Sequence, residues 1–256
     1  MVFVACSARA TELIFGESFV GSFNPLLKKA VIPAAGLASR MLPVSKSVPK
    51  EMFPTGRKPM IQHAVEEALA SGIERIGIVI REDKDLIRDY FSFRSRHHHK
   101  RDDSLEELEK LVASCEITFI YQQQPLGLGD AMFQAQDFVG DDWFVMMVPD
   151  QFMESVVPPT LQLLKYWKPG LSIWSSLARI PKEDLRYFVG ARAYELEKKP
   201  DLDYFAIGKM RLEDDSHFAY GDSRYEIRGF GRTIYPAEIF EYLGRDYMNS
   251  ETGRWI

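Results

Sequence analysis

Residues 28–52 read KKAVIPAAGLASRMLPVSKSVPKEM, and this stretch decides the fold. Val31 and Ile32 open a strand that stops at Pro33 and an AAG turn over 34–36. Beyond Gly36 both the helical and the strand periodicities vanish. Pro43, Pro49 and Pro54 forbid a regular helix, because proline has no N–H to donate and its ring clashes with the preceding turn. A loop of this length inside an α/β unit is usually functional. This one carries three cations, Arg40, Lys46 and Lys50. Gly36 allows the backbone close to a ligand. Cations on one flap suit a triphosphate, whose leaving group gains charge during transfer. The alternative is a surface loop with solvated lysines. The dinucleotide fingerprint G-x-G-x-x-G is absent, because Gly36 is followed by Ala38 and Met41, and no G-x-x-x-x-G-K-[ST] occurs.

Working outward, Pro59 is placed as a first helical residue. Met60, Ile61, Ala64, Val65, Ala68 and Leu69 recur at helical spacing behind it, and Gly72 is the expected C-terminal cap. IGIVI (76–80) is an uninterrupted apolar run, as a strand buried on both faces requires. Asp83 and Asp85 open a second helix with Leu86, Ile87, Tyr90 and Phe91 on its inner side. Ser104 and Glu107 form a capping box for a third. ITFIY (117–121) is a strand, QQQPLGLG (122–129) a turn before a helix, and WFVMMV (143–148) a strand ending at Pro149-Asp150. Strands alternating with helices predict right-handed crossovers and a mainly parallel α/β sheet. Ligands bind such sheets at the carboxyl ends of the strands. The AAG turn, the QQQPLGLG turn and Asp150 all belong to that edge.

Farther on, PTLQLLKYW (159–167) predicts a helix and LSIWSSLA (171–178) a strand. Residues 186–235 hold strand-like pieces such as YFAIGKMRL and FGRTIY, and Pro236 begins a last helix, AEIFEYL. These predict a mixed, partly antiparallel second lobe from about residue 155. The 256 residues suffice for a sizeable core, with 46% hydrophobic and 27% charged residues as in soluble globular chains. A net charge of −5 without a long basic block argues against nucleic acid as a partner. Two cysteines, Cys6 and Cys115, suggest no disulfide framework and a reducing, cytoplasmic setting. Residues 1–27 are expected to be an extension; Glu12 and Glu17 interrupt any signal sequence, and no apolar run is long enough for a membrane span.

At residues 28–54 the chain closely resembles the bacterial UTP–glucose-1-phosphate uridylyltransferases, within the sugar-1-phosphate nucleotidyltransferases, whose pattern reads KAVIPAAGxGTRxLPxTKxxPKEMxP. The likeness continues through KPMIQHAVEEALASGI, DSLEELEKL, the QxxPLGLGxA turn and the strand ending in Pro149-Asp150. It spans residues 28–152, then fades, and returns at GFGRTIYPAEIF. The resemblance implies a Rossmann-like nucleotide-diphospho-sugar transferase fold, with residues 28–152 as nucleotide-binding half and about 155–256 as sugar-binding half. It implies transfer of UMP from UTP to glucose 1-phosphate. The alternatives are another sugar 1-phosphate or nucleotide, or a diverged non-catalytic binding protein. By the same resemblance Ala35 and Gly36 meet the uracil through their backbones, and Glu51 lies near the nucleotide. Arg40 and Lys50 hold the phosphates with Lys46 assisting, and Gln122 and Gly127 read the base edge. A glutamine amide offers donor and acceptor together, which suits an imide. Asp150 holds Mg2+, for which one or two carboxylates plus phosphates and waters are the usual ligands; a helix N-cap is the other reading of this residue. Gly231 falls in the sugar-binding segment. The resemblance also implies a dimer or tetramer.

Several positions depart from the pattern. Ala38 and Ser39 replace a glycine and a threonine, and alanine restricts φ where glycine was free. Gln151 follows Asp150 where the family often has a second aspartate. Tyr187-Phe188-Val189 replaces tyrosine–glycine–valine, and the Glu-Lys-Pro sugar clamp has only EKKP (197–200) or LEDD (212–215) as counterparts. The motif GEIQLTDA would begin at Gly253, but the chain reads GRWI, so a truncated sugar-binding half with one metal carboxylate is expected. His97-His98-His99 are read as solvated rather than metal-binding, and Trp167, Trp174, Phe188 and Tyr204 chiefly as packing residues.

Overall fold

In the computed structural model, residues 27–92, 103–153, 155–170, 173–187, 193–198, 205–211 and 224–249 are described. They fall into two compact units, one from residues 27–152 with 235–249, the other within 153–234.

The first unit is a parallel sheet with helices. Its elements in chain order are β1 (Lys29–Pro33), the short hairpin β2 (Pro54–Thr55) and β3 (Lys58–Pro59), α1 (Met60–Ala70), β4 (Arg75–Ile80), α2 (Asp85–Phe91), α3 (Asp103–Ala113), β5 (Glu116–Tyr121), α4 (Leu128–Phe133), α5 (Gln136–Val139) and β6 (Phe144–Met147). β1 lies between β4 and β6, pairing parallel with both, and β5 flanks β4 in parallel. This is the βαβ order that the alternating pattern predicts. Ala30, Val31 and Ile32 are fully buried, as are Ile76, Ile78, Val79 and Ile80, which explains their unbroken apolar runs. The outer strand β5 is only half-buried.

In α1, Ile61, Ala64, Val65 and Ala68 form the inner stripe. Pro59 is the residue before that helix, not its first, and Gly72 closes it at φ +79°. In α2, Ile87 and Phe91 face inward while Leu86 is exposed, so the inner face is narrower than the sequence suggests. Gly77 in β4 lies under the Phe138 ring, where a Cβ would come within 2.9 Å of two ring carbons.

The second unit comprises α6 (Pro159–Tyr166), β7 (Trp174–Pro181), β8 (Ala193–Lys198), β9 (Phe205–Arg211) and β10 (Tyr225–Tyr235). β10 pairs antiparallel with β7 and β8, and β8 with β9. The predicted antiparallel lobe is therefore present. Trp167 and Trp174 are buried in it as packing residues. One boundary differs from the sequence reading. The last helix, α7 (Ile239–Asn249), groups with the parallel sheet, because Phe240 stacks on Phe144 with centroids 5.6 Å apart and planes 9° apart. Residues 1–26, His97-His98-His99, Phe188, Val189, Lys199, Pro200, Tyr204, the LEDD stretch, Gly253 and Arg254 lie outside the described residues. Among the described residues no helix is long and apolar enough to cross a membrane.

Candidate active site

The site begins where β1 ends. The Ala34 N–H donates to Val79 O at 2.8 Å, carrying the strand pairing one residue into the AAG turn. Ala35 is buried and Gly36 is exposed. A Cβ on Gly36 would meet nothing within 4 Å, so packing within the chain does not demand glycine there and the space beside its backbone is open. The loop that follows winds through three short 3-10 turns, Ser39–Met41, Val44–Lys46 and Lys50–Met52, with no longer helix between them. Ala38 adopts φ 49°, ψ 38°, the left-handed conformation. Its carbonyl accepts from the Met41 N–H and the Ser45 hydroxyl, both at 2.9 Å, which holds the turn in place. A Cβ in this region costs roughly 1–2 kcal/mol. The substitution seen in the sequence thus falls where a glycine would be unstrained.

Glu51 is fully buried, and Lys84 explains how. The Lys84 ammonium donates to both Glu51 oxygens, at 3.1 and 2.9 Å, and to Ala34 O at 2.6 Å. One buried amine thereby ties the flap to the AAG turn. Burial pushes the Glu51 carboxyl above its usual range, with Lys84 opposing that shift. Burial also lowers the Lys84 ammonium, again opposed by its partner. Sequence reasoning missed Lys84. It stands in EDKD, where an amine among acids before a helix looks like ordinary surface.

Gln122 follows β5 and is buried. Its N–H donates to Ile80 O, and its side-chain Nε2 donates to Gly127 O at 3.1 Å and Asp130 Oδ2 at 2.5 Å. Both amide hydrogens are therefore used within the protein. The amide offers a ligand only its carbonyl oxygen, rather than the donor and acceptor together that sequence reasoning expected. Gly127 has φ 115°, ψ −173°, a region essentially reserved for glycine, so its identity has a backbone cause of its own.

Asp150 lies in the turn after β6, and no helix starts there, since α6 begins at Pro159; the N-cap reading fails. Its Oδ2 accepts from the Lys50 ammonium at 2.5 Å. Lys50 and Asp150 line one cavity of about 300 Å3 with Ala35, Gly36, Glu51, Gln122 and Gly127, together with Pro33, Leu37, Pro125, Leu128, Ala131 and Val148. This volume is at the small end for ligand pockets. Arg40 and Lys46 are exposed on the flap and do not line it. Gly231, in the other unit, has φ 52° within an irregular stretch of β10 between Gly229 and Thr233, so a bulge accounts for it locally.

No cluster of three metal-ligating side chains occurs among the described residues. Glu51 is sealed against Lys84, whereas Asp150, though paired with Lys50, stays part-exposed and is the carboxylate on the cavity wall that a metal can reach. One part-exposed carboxylate beside a lysine ammonium is a donor set that fits a hard divalent ion, whose other ligands are typically phosphates and water.

Residues 29–168 match the nucleotidyl transferase family. The chain is 36% identical over 223 residues to a UTP–glucose-1-phosphate uridylyltransferase of Bacillus subtilis, covering 85% of this chain and 73% of that one. It is 42% identical over 228 residues to a UTP–glucose-1-phosphate uridylyltransferase 2 of Streptococcus pyogenes serotype M3, with the same coverage. Among solved structures, a UDP-glucose pyrophosphorylase complexed with UDP-glucose superposes with TM-score 0.71 at 25% identity, covering 85% of this chain and 79% of that chain. A UTP-bound UGPase from Acinetobacter baumannii gives TM-score 0.66 at 26% identity, covering 89% and 80%.

Proposed function

The chain belongs to the nucleotidyl transferase family, among the UTP–glucose-1-phosphate uridylyltransferases, and from that premise we infer that it transfers UMP from UTP to glucose 1-phosphate. A phosphate oxygen of the sugar phosphate attacks the α-phosphorus of UTP. The bond from that phosphorus to the bridging oxygen breaks, and pyrophosphate leaves with the electron pair. No covalent enzyme intermediate is needed, so catalysis rests on positioning and on charge placed where the leaving group develops it.

The observation that carries this reading is the convergence of Ala35, Gly36, Lys50, Gln122, Gly127 and Asp150 on one cavity from four separate stretches of chain. In this reading the open backbone at Gly36 admits the nucleotide closely, and Gln122 Oε1 accepts the N3–H of uracil. Lys50 turns from Asp150 to the phosphates. Arg40 and Lys46, on the flap, close over the triphosphate. Glu51 serves the site through Lys84, holding the flap against Ala34 rather than touching the nucleotide. Gly231 belongs to the sugar subsite. Asp150 would hold Mg2+, which would supply charge neutralisation to the phosphates.

Purified protein with UTP and Mg2+, assayed for pyrophosphate release against a panel of sugar 1-phosphates, tests the proposal. Release with glucose 1-phosphate supports it, and release with another sugar alone reassigns the acceptor. UTP binding without turnover makes the chain a nucleotide-binding protein only. Light scattering on the same sample tests the dimer or tetramer of the family.

A further inference from the structure

We propose that Asp130 is a positioning residue for base selection: it locks the Gln122 amide so that only its carbonyl oxygen is left for the base. This rests on the reading of the cavity as a UTP site. Asp130 is 3% exposed and lies in α4, eight residues beyond Gln122. Its Oδ2 accepts from Gln122 Nε2 at 2.5 Å, and its Oδ1 from Gln134 Nε2 at 3.0 Å. The second acceptor for the Gln122 amide is Gly127 O, a carbonyl that cannot donate. An amide turned the other way would set its oxygen against a carbonyl oxygen and a carboxylate. Its oxygen end is thereby fixed on the remaining side, and it has no partner among the described residues.

A lone acceptor has a definite chemical preference. It pairs with the N3–H of uracil or thymine and meets a lone pair at N3 of cytosine. The lock therefore favours UTP over CTP, and leaves UTP and dTTP undistinguished. Gln134, by contrast, is exposed and free to rotate its amide. An asparagine at 130 can then keep its oxygen toward Gln122 and donate its NH2 to a rotated Gln134. A leucine cannot.

The test is the ratio of UTP to CTP dissociation constants, measured by titration calorimetry on the full chain. Wild type is expected to prefer UTP. Asp130→Leu is expected to lose roughly tenfold of that preference, the size of one hydrogen bond beside an ion. Asp130→Asn is expected to retain it. If Asp130→Leu unfolds, Asp130→Asn with Gln134→Lys gives the same reading, because a donor at 134 claims the asparagine oxygen and turns its NH2 toward Gln122. A preference unchanged in Asp130→Leu or in the double variant overturns the proposal, as does an equal loss of UTP and CTP binding, which marks a merely structural role. Wild type that binds no UTP instead overturns the parent reading, and this proposal falls with it.

Discussion

The Lys50 ammonium lies 2.5 Å from Asp150 Oδ2, joining residues 100 apart in sequence. The cation proposed for the phosphates and the carboxylate proposed for the metal neutralise each other. Both side chains are 24–30% exposed, so the pair is worth only about 0.2–1 kcal/mol and yields readily to stronger partners. Asp150→Asn is therefore expected to tighten metal-free UTP binding several-fold by releasing Lys50, while turnover with Mg2+ falls at least ~100-fold. Calorimetry without metal and a pyrophosphate assay with it separate the two effects.

Lys50→Ala removes the charge proposed to meet the phosphates. Turnover is expected to fall at least ~100-fold, the usual loss for one such stabiliser. Thermal stability should change little, because the partner Asp150 remains part-exposed to water. Unchanged turnover in a steady-state assay removes Lys50 from the mechanism.

Ala38 holds φ 49° without being glycine. Ala38→Gly is expected to stabilise the chain by about 1 kcal/mol in chemical denaturation, the relief of left-handed strain less the added freedom of the unfolded glycine. A loss of stability means the turn imposes no strain.

The buried Lys84–Glu51 pair predicts a strongly non-additive double-mutant cycle. Lys84→Met alone leaves a buried carboxylate unpaired and is expected to cost about 3–5 kcal/mol, whereas adding Glu51→Leu restores most of it. The pH dependence has a definite sign. The Glu51 carboxyl titrates higher folded than unfolded, so the native state holds the extra proton and this residue's contribution is largest below the unfolded value. It declines as pH rises through the folded value. Denaturation midpoints of wild type and Glu51→Gln should therefore converge at low pH and separate above it.

Much of this architecture is legible in the residues. The apolar runs of β1, β4 and β6 require burial on both faces, and the alternation with helices requires a parallel sheet whose carboxyl edge gathers Gly36, Gln122 and Asp150. What escaped is carried by long-range contacts with no local pattern. Lys84 meets Glu51 33 residues away and Ala34 50 residues away, and nothing near it marks an amine that will be buried. Asp130 looks like a polar residue early in a helix until Gln122 is seen against it. Phe240 draws α7 to the parallel sheet by stacking on Phe144, a pairing that helical periodicity alone does not specify.

The most direct measurement follows the α-phosphate. With UTP labelled at that position, glucose 1-phosphate and Mg2+, the label is predicted to appear in UDP-glucose while unlabelled pyrophosphate is released. Label that stays in UTP, or appears as free UMP with no sugar nucleotide formed, contradicts the account.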